Sequence, residues 1–138
     1  MAKINKIKSR QVFDSRGNPT VEAEIFSDNG FSASAIVPSG ASTGTHEAFE
    51  LKDKENENYL GKSVFKAIEN VNGPIAKSLK NIDISKQSKI DEILVDLDGT
   101  EQKKKLGANA ILAVSIAACK LAAKEKKVSL FKYIGKSK

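Results

Sequence analysis

Apolar and polar residues alternate with a period of two in the first third of the chain. Val21, Ala23 and Ile25 alternate with Glu22 and Glu24, and Phe31, Ala33, Ala35 and Val37 alternate with Ser32 and Ser34. Successive side chains of a strand point to opposite faces, so both runs predict strands with one buried face. Asp28-Asn-Gly30 between them is a hairpin signal, because Asn-Gly tolerates positive φ. A weaker run from Ile4 to Phe13 predicts an earlier strand, joined to the second through a Gly17-Asn-Pro19 turn. Three short strands in succession make an antiparallel meander whose apolar face needs a cover.

The cover follows in sequence. Val64, Ala67, Ile68 and Val71 have helical spacing, and Gly73-Pro74 is expected to break that helix and start a short one with proline at its first position. Ser85 is the expected N-cap of a helix carrying Ile90, Ile93, Leu94 and Leu97 and stopped by Asp98-Gly99. The strongest helical pattern runs from about Ala108 to Lys126, with Ile111, Val114, Ser115, Ala118, Leu121 and Ala122 along one stripe. Ser129 is expected to cap a last short helix ending near Gly135. Strands first and helices second predict an α+β fold: a short antiparallel three-stranded β-meander followed by a layer of about four helices.

The length of 138 residues fits one domain, spanning 1–138. With no tryptophan and only 6% aromatic residues, its core must rest on Ile, Leu, Val and Ala. The net charge of +6 is nearly all lysine, with Arg10 and Arg16 the only arginines. Clusters such as Lys103-Lys-Lys105 and Lys124-Glu-Lys-Lys127 are interleaved with acids and lack the arginines and stacking aromatics of base readers. A solvated surface is therefore expected, with no specific nucleic-acid partner. Cys119 is the sole cysteine, so no intrachain disulfide forms, and its apolar neighbours predict an inert thiol. A polar, lysine-rich start and the lack of a membrane-length apolar stretch predict a soluble, cytoplasmic protein with no membrane partner.

Several chemical patterns fail on spacing. Gly61-Lys-Ser63 resembles the end of a P-loop, but Asn56 stands at the earlier glycine position with Glu57 beside it. His46-Glu47 begins like a zinc-binding helix, yet Glu50 occupies the second histidine position and His46 is the only histidine. Asp96-Leu-Asp98-Gly99 lacks the remaining ligand spacing of a calcium loop and reads as a helix end. Ser42 has one histidine nearby and no evident third group for a catalytic triad. The loop Pro38-Ser-Gly-Ala-Ser-Thr-Gly44 is different, because it opens directly from an apolar strand. Gly40 and Gly44 permit close backbone approach, and Ser39, Ser42 and Thr43 supply hydroxyl oxygens, a make-up suited to a phosphate or a hydrated cation. A plain serine-glycine connection has the same composition, and local chemistry alone favours that reading.

That loop, the segment Asp14-Ser-Arg-Gly-Asn-Pro-Thr-Val-Glu22 and the segment Leu106-Gly-Ala-Asn-Ala-Ile-Leu112 together resemble the amino-terminal domain of enolase, in order, from about Ile4 to Tyr133. The resemblance implies a part in the Mg²⁺-dependent lyase that interconverts 2-phosphoglycerate and phosphoenolpyruvate plus water in glycolysis. A (β/α)8 barrel alone needs about 250 residues, so the catalytic barrel is expected to be absent, with its base, acid and main metal carboxylates. The family pattern makes Gly40, Ala41, Ser42 and Thr43 a loop that closes over substrate, with Ser42 a ligand of the second of two Mg²⁺ ions and His46 at its trailing end. It sets Arg10, Arg16 and Glu22 at a dimer contact. The implied partners are the enolase barrel domain and, in the full enzyme, a second subunit of a homodimer or higher homo-oligomer. The 138 residues alone are expected neither to bind Mg²⁺ nor to catalyse. The alternative is a stand-alone lysine-rich binding module for RNA or a protein partner.

Overall fold

A computed structural model of the chain describes residues 2–37, 64–99 and 106–136. Its three strands are β1 (Ile4–Phe13), β2 (Pro19–Ser27) and β3 (Ser32–Ile36), paired antiparallel in the order β1-β2-β3. Helices follow: α1 (Phe65–Asn70), a π turn (Val71–Ile75), α2 (Ala76–Leu79), α3 (Gln87–Asp98), α4 (Ala108–Glu125) and α5 (Leu130–Lys136). The first three of these form one continuous right-handed run, so four helical bodies follow the meander among the described residues. The expected α+β architecture is the observed one.

The register shows why the sheet has one wet and one dry face. Ile7, Ser9 and Gln11 of β1 stand opposite Ile25, Ala23 and Val21, while Lys8 and Arg10 stand opposite Glu24 and Glu22 on the other face. Ile4 and Ile7 are an odd number of residues apart, yet both are buried. A register shift between Ile4 and Lys6 supplies the extra residue that turns both inward. The two turns differ in construction. Asp14 ties the first together by accepting the backbone N–H groups of Arg16 and Asn18, each at 2.9 Å. In the second, Gly30 alone takes positive φ, and Ser27 donates to Phe31 across a three-residue loop, so Asn29 has no need of the conformation its sequence permits.

α4 is the main cover and packs on β2 and β3. Its buried face is Ala110, Ala113, Val114, Ala117, Ala118 and Leu121. The alanines let helix and sheet approach closely. Ile111 and Ser115, expected on that stripe, lie on its flank, where Ser115 Oγ donates to Asp91 of α3 at 2.6 Å.

Two expectations about helix ends are overturned. Gly73-Pro74 does not break the first helix. Proline lacks the N–H for an i→i−4 bond and its ring crowds the preceding turn; the widened π turn absorbs both, and Ala76 N–H reaches back to Val71 O. Ser85 does not cap α3 either. The helix starts at Gln87 with Lys86 at the cap position, and Ser85 instead donates its hydroxyl and N–H to Asp83 at 2.8 and 2.9 Å. Segment Asn81–Ile84 is committed to pairing with Ala2–Ile4, which places Asp83 to take Ser85 first. The other ends follow expectation: Gly99 closes α3 at φ 70°, and Ser129 Oγ accepts the Lys132 N–H at 3.2 Å at the start of α5.

Candidate functional site

The loop Pro38–Gly44 and His46 lie outside the described residues, as does Gly61-Lys-Ser63. The described residues that flank them in sequence are Val37 and Val64. Val37, just past β3, is buried; its N–H donates to Val21 O at 3.1 Å, and its carbonyl accepts the Thr20 hydroxyl. Val64, before α1, is also buried, and its N–H donates to Gln11 Oε1 at 3.0 Å. Both stems are pinned to the sheet, one to β2 and one to β1. Neither Thr20 nor Gln11 was singled out by the sequence; the signal available was a polar residue at an inward or buried strand position.

The segment Leu106–Leu112 begins α4. Gly107 has φ 93°, a conformation that glycine adopts without steric cost. Leu106 is held on both sides: its N–H donates to the buried carboxylate of Asp98 at 2.6 Å, and its carbonyl accepts from Asn70 at 3.1 Å. Asn109, in the first turn of α4, is 3% exposed. This segment thus knits the ends of α1, α3 and α4 together.

Of the three charged residues expected at a subunit contact, the structure brings two together. Arg10 Nε lies 3.3 Å from Glu22, and its NH2 group lies 3.2 Å from Glu24. Glu24 is the member that sequence reading missed, although strict alternation puts it on the same face as Glu22. The pair is partly exposed, so its contribution to folding is about 0–1 kcal/mol. Arg16 stands apart in the β1–β2 turn, beside Asp14. Backbone donation from Asn18, with help from the Arg16 N–H and charge, holds the Asp14 carboxyl below the usual carboxylate range.

The remaining candidate chemistry is structural. Burial, and then the nearby Asp91 charge, push the Cys119 thiol up and away from thiolate chemistry. Asp98 of the imagined calcium loop binds the Leu106 N–H, and Gly99 is a helix cap. Among the described residues no three or more His, Cys, Asp or Glu side chains gather as metal ligands, and no helix is long and apolar enough to cross a membrane.

The chain matches the family described as Enolase, N-terminal domain, over residues 4–134. It is 63% identical over 132 residues to an enolase of Pelagibacter ubique (strain HTCC1062), an alignment covering 96% of this chain. The chain spans 31% of the length of that curated relative. The matched span takes in every described strand and all the helices but the last two residues of α5, and the chain belongs to the enolase N-terminal domain family.

Proposed function

We propose that the chain is the lid and interface portion of an enolase, the Mg²⁺-dependent lyase that converts 2-phosphoglycerate to phosphoenolpyruvate and water. The observation that supports this reading most is the match to the enolase N-terminal domain over residues 4–134, and the anchoring of Val37 to β2 and of Val64 to β1 is consistent with it. A loop that closes on a substrate needs fixed stems, because closure then reorients only the segment between them.

In this reading Ser42 contributes hard oxygen donors to the second of two Mg²⁺ ions, with Gly40, Ala41 and Thr43 shaping the approach and His46 at the trailing end. Magnesium favours octahedral oxygen and is usually held through one or two carboxylates and substrate phosphates. A serine loop fits as a late contributor to such a site and not as its foundation. The metal, when bound, supplies charge stabilisation for the carboxylate-stabilised anion formed on proton loss. The chain's own part is to exclude water, complete the oxygen shell and carry Arg10, Arg16 and Glu22 to a subunit contact. The barrel supplies the base, the acid and the metal carboxylates.

The test is a Mg²⁺-dependent assay of phosphoenolpyruvate formation with the chain alone and then mixed with a separately made enolase barrel. Silence alone and turnover on mixing is the expected result. Activity from the 138 residues alone would place the catalytic groups here and overturn the division. In a full-length context, Ser42→Ala should cut turnover about 100–1000-fold, the scale of losing one preorganised group at a charged transition state, and raise the Mg²⁺ requirement. Unchanged turnover at limiting Mg²⁺ removes Ser42 from the site.

A further inference from the structure

Among the described residues β3 forms one margin of the sheet, and with its flanks it reads Phe31-Ser-Ala-Ser-Ala-Ile-Val37. The run has no charge, no proline and no glycine. Natural edge strands are usually guarded by a charge, a proline, a bulge or a covering element that discourages pairing with another chain. The opposite margin is closed by other parts of the chain. Ile4 exchanges backbone hydrogen bonds with Asn81 and Ile82 at 2.8 and 2.9 Å, and Asn72 brackets both backbone groups of Ser9 at 2.7 and 3.2 Å.

Among the described residues the protection on β3 comes from α4. Ser27 donates to Phe31 O and Val37 donates to Val21 O, so alternate residues of this strand bond to β2. The backbone groups of Ser32, Ser34 and Ile36 therefore point outward. Lys124 Nζ donates to Ser32 O at 2.9 Å, and Lys120 Nζ donates to Ser34 O at 3.4 Å. The spacing is matched: four helical residues advance about 6 Å and two strand residues about 6.7 Å. One more step along the helix reaches Ile116, which carries no ammonium to donate to the strand.

We propose that Lys120 and Lys124 hold the outer edge of β3 shut against a second copy of this chain, whose own β3 would otherwise pair with it antiparallel. The inference stands apart from the enolase reading. The second copy is the occupant because the edge is self-complementary. Antiparallel pairing about Ser34 sets Ser32 opposite Ile36 and Phe31 opposite Val37, so no charged side chains meet. While the lysines are in place, such pairing must displace two charge-assisted hydrogen bonds and bring two lysine pairs together.

The test compares Lys120→Gln/Lys124→Gln with Lys86→Gln/Lys89→Gln, which removes the same charge from the start of α3. Sedimentation equilibrium reads self-association, and amide hydrogen exchange reads Ser32, Ser34 and Ile36. The first variant should self-associate at least tenfold more tightly than the second, with slower exchange at those three amides. Each single variant, Lys120→Gln or Lys124→Gln, should move in the same direction by less. Adding Ser34→Lys should return association to the control level, because paired copies would set two lysines opposite each other. Equal association in the two folded double variants overturns the proposal. So does association that leaves the three amides unprotected or that survives Ser34→Lys.

Discussion

α4 and the run Phe65–Leu79 are both helical and both line the core, yet they exist for different reasons. In α4 every level of description agrees. Its alanines and leucines favour helix, its stripe faces β2 and β3, and it contains neither proline nor glycine. The Phe65–Leu79 run contains Pro74 and survives it. Its fully buried residues Ala67, Val71, Ile75 and Leu79 recur every fourth residue. A regular α-helix would let such a series drift by about 40° per step. The wider π turn takes up part of that drift and keeps the series on one face. Asn72, inside that turn, then clamps the Ser9 backbone. A breaker residue loses here to a buried stripe and a tertiary clamp.

The comparison is sharpest where both helices are challenged with the same loss. Leu121 of α4 and Ile75 of the π turn are fully buried. Leu121→Ala should cost about 2–5 kcal/mol, and Ile75→Ala should fall in the same range. Urea unfolding would read both as a lower midpoint with an unchanged slope. An Ile75→Ala cost well under 1 kcal/mol would mean that packing does not hold the π turn, and the clamp would have to be the whole explanation. The clamp itself is worth less. Asn72→Ala should cost about 1 kcal/mol, because exchanging exposed hydrogen bonds for water returns most of their energy. Its signature is local: faster amide exchange at Ser9 with the α4 amides unchanged.

The same contrast explains what the sequence could disclose. Strands β1 to β3, the Asp28–Gly30 turn, the Gly99 stop and the Ser129 cap were legible because each is a local rule with local residues. The continuity through Pro74 was not, since it depends on Ser9, far away in sequence. Ser85 failed as a cap for a similar reason: Asp83, fixed by pairing with β1, takes its hydroxyl. The rotation of the α4 stripe toward Ala110 and Ala113 was hidden because alanine is a weak signal of burial. For the candidate site, the motifs disclosed the family, whereas the Arg10–Glu22 pair within the sheet follows from the β1–β2 register and was not read from the sequence. The pinning of Val37 and Val64 by Thr20 and Gln11 joins residues that no sequence spacing connects.

The smallest effect concerns how α4 ends. Gly99 closes α3 with positive φ, as glycine does at most such ends, but Lys127 takes φ 57° after α4. The Lys127 N–H donates to Lys124 O at 3.0 Å, and the Val128 N–H reaches back to Ala123 O at 3.1 Å. Those bonds fix the residue in a left-handed conformation, which costs an L-residue about 1–2 kcal/mol. Glycine would relieve that strain and lose part of the gain to its freer unfolded chain. Lys127→Gly should therefore stabilise the chain by about 0.5–1 kcal/mol, read as a higher Tm. Lys126→Gly, one residue earlier at φ −82°, should destabilise it, since there glycine brings only its entropy cost and the ammonium 5.4 Å from the Tyr133 ring is lost. Opposite signs at adjacent lysines would show that even the regular helix of this fold is closed against local preference at one point. Equal signs would leave the strain at Lys127 without energetic consequence.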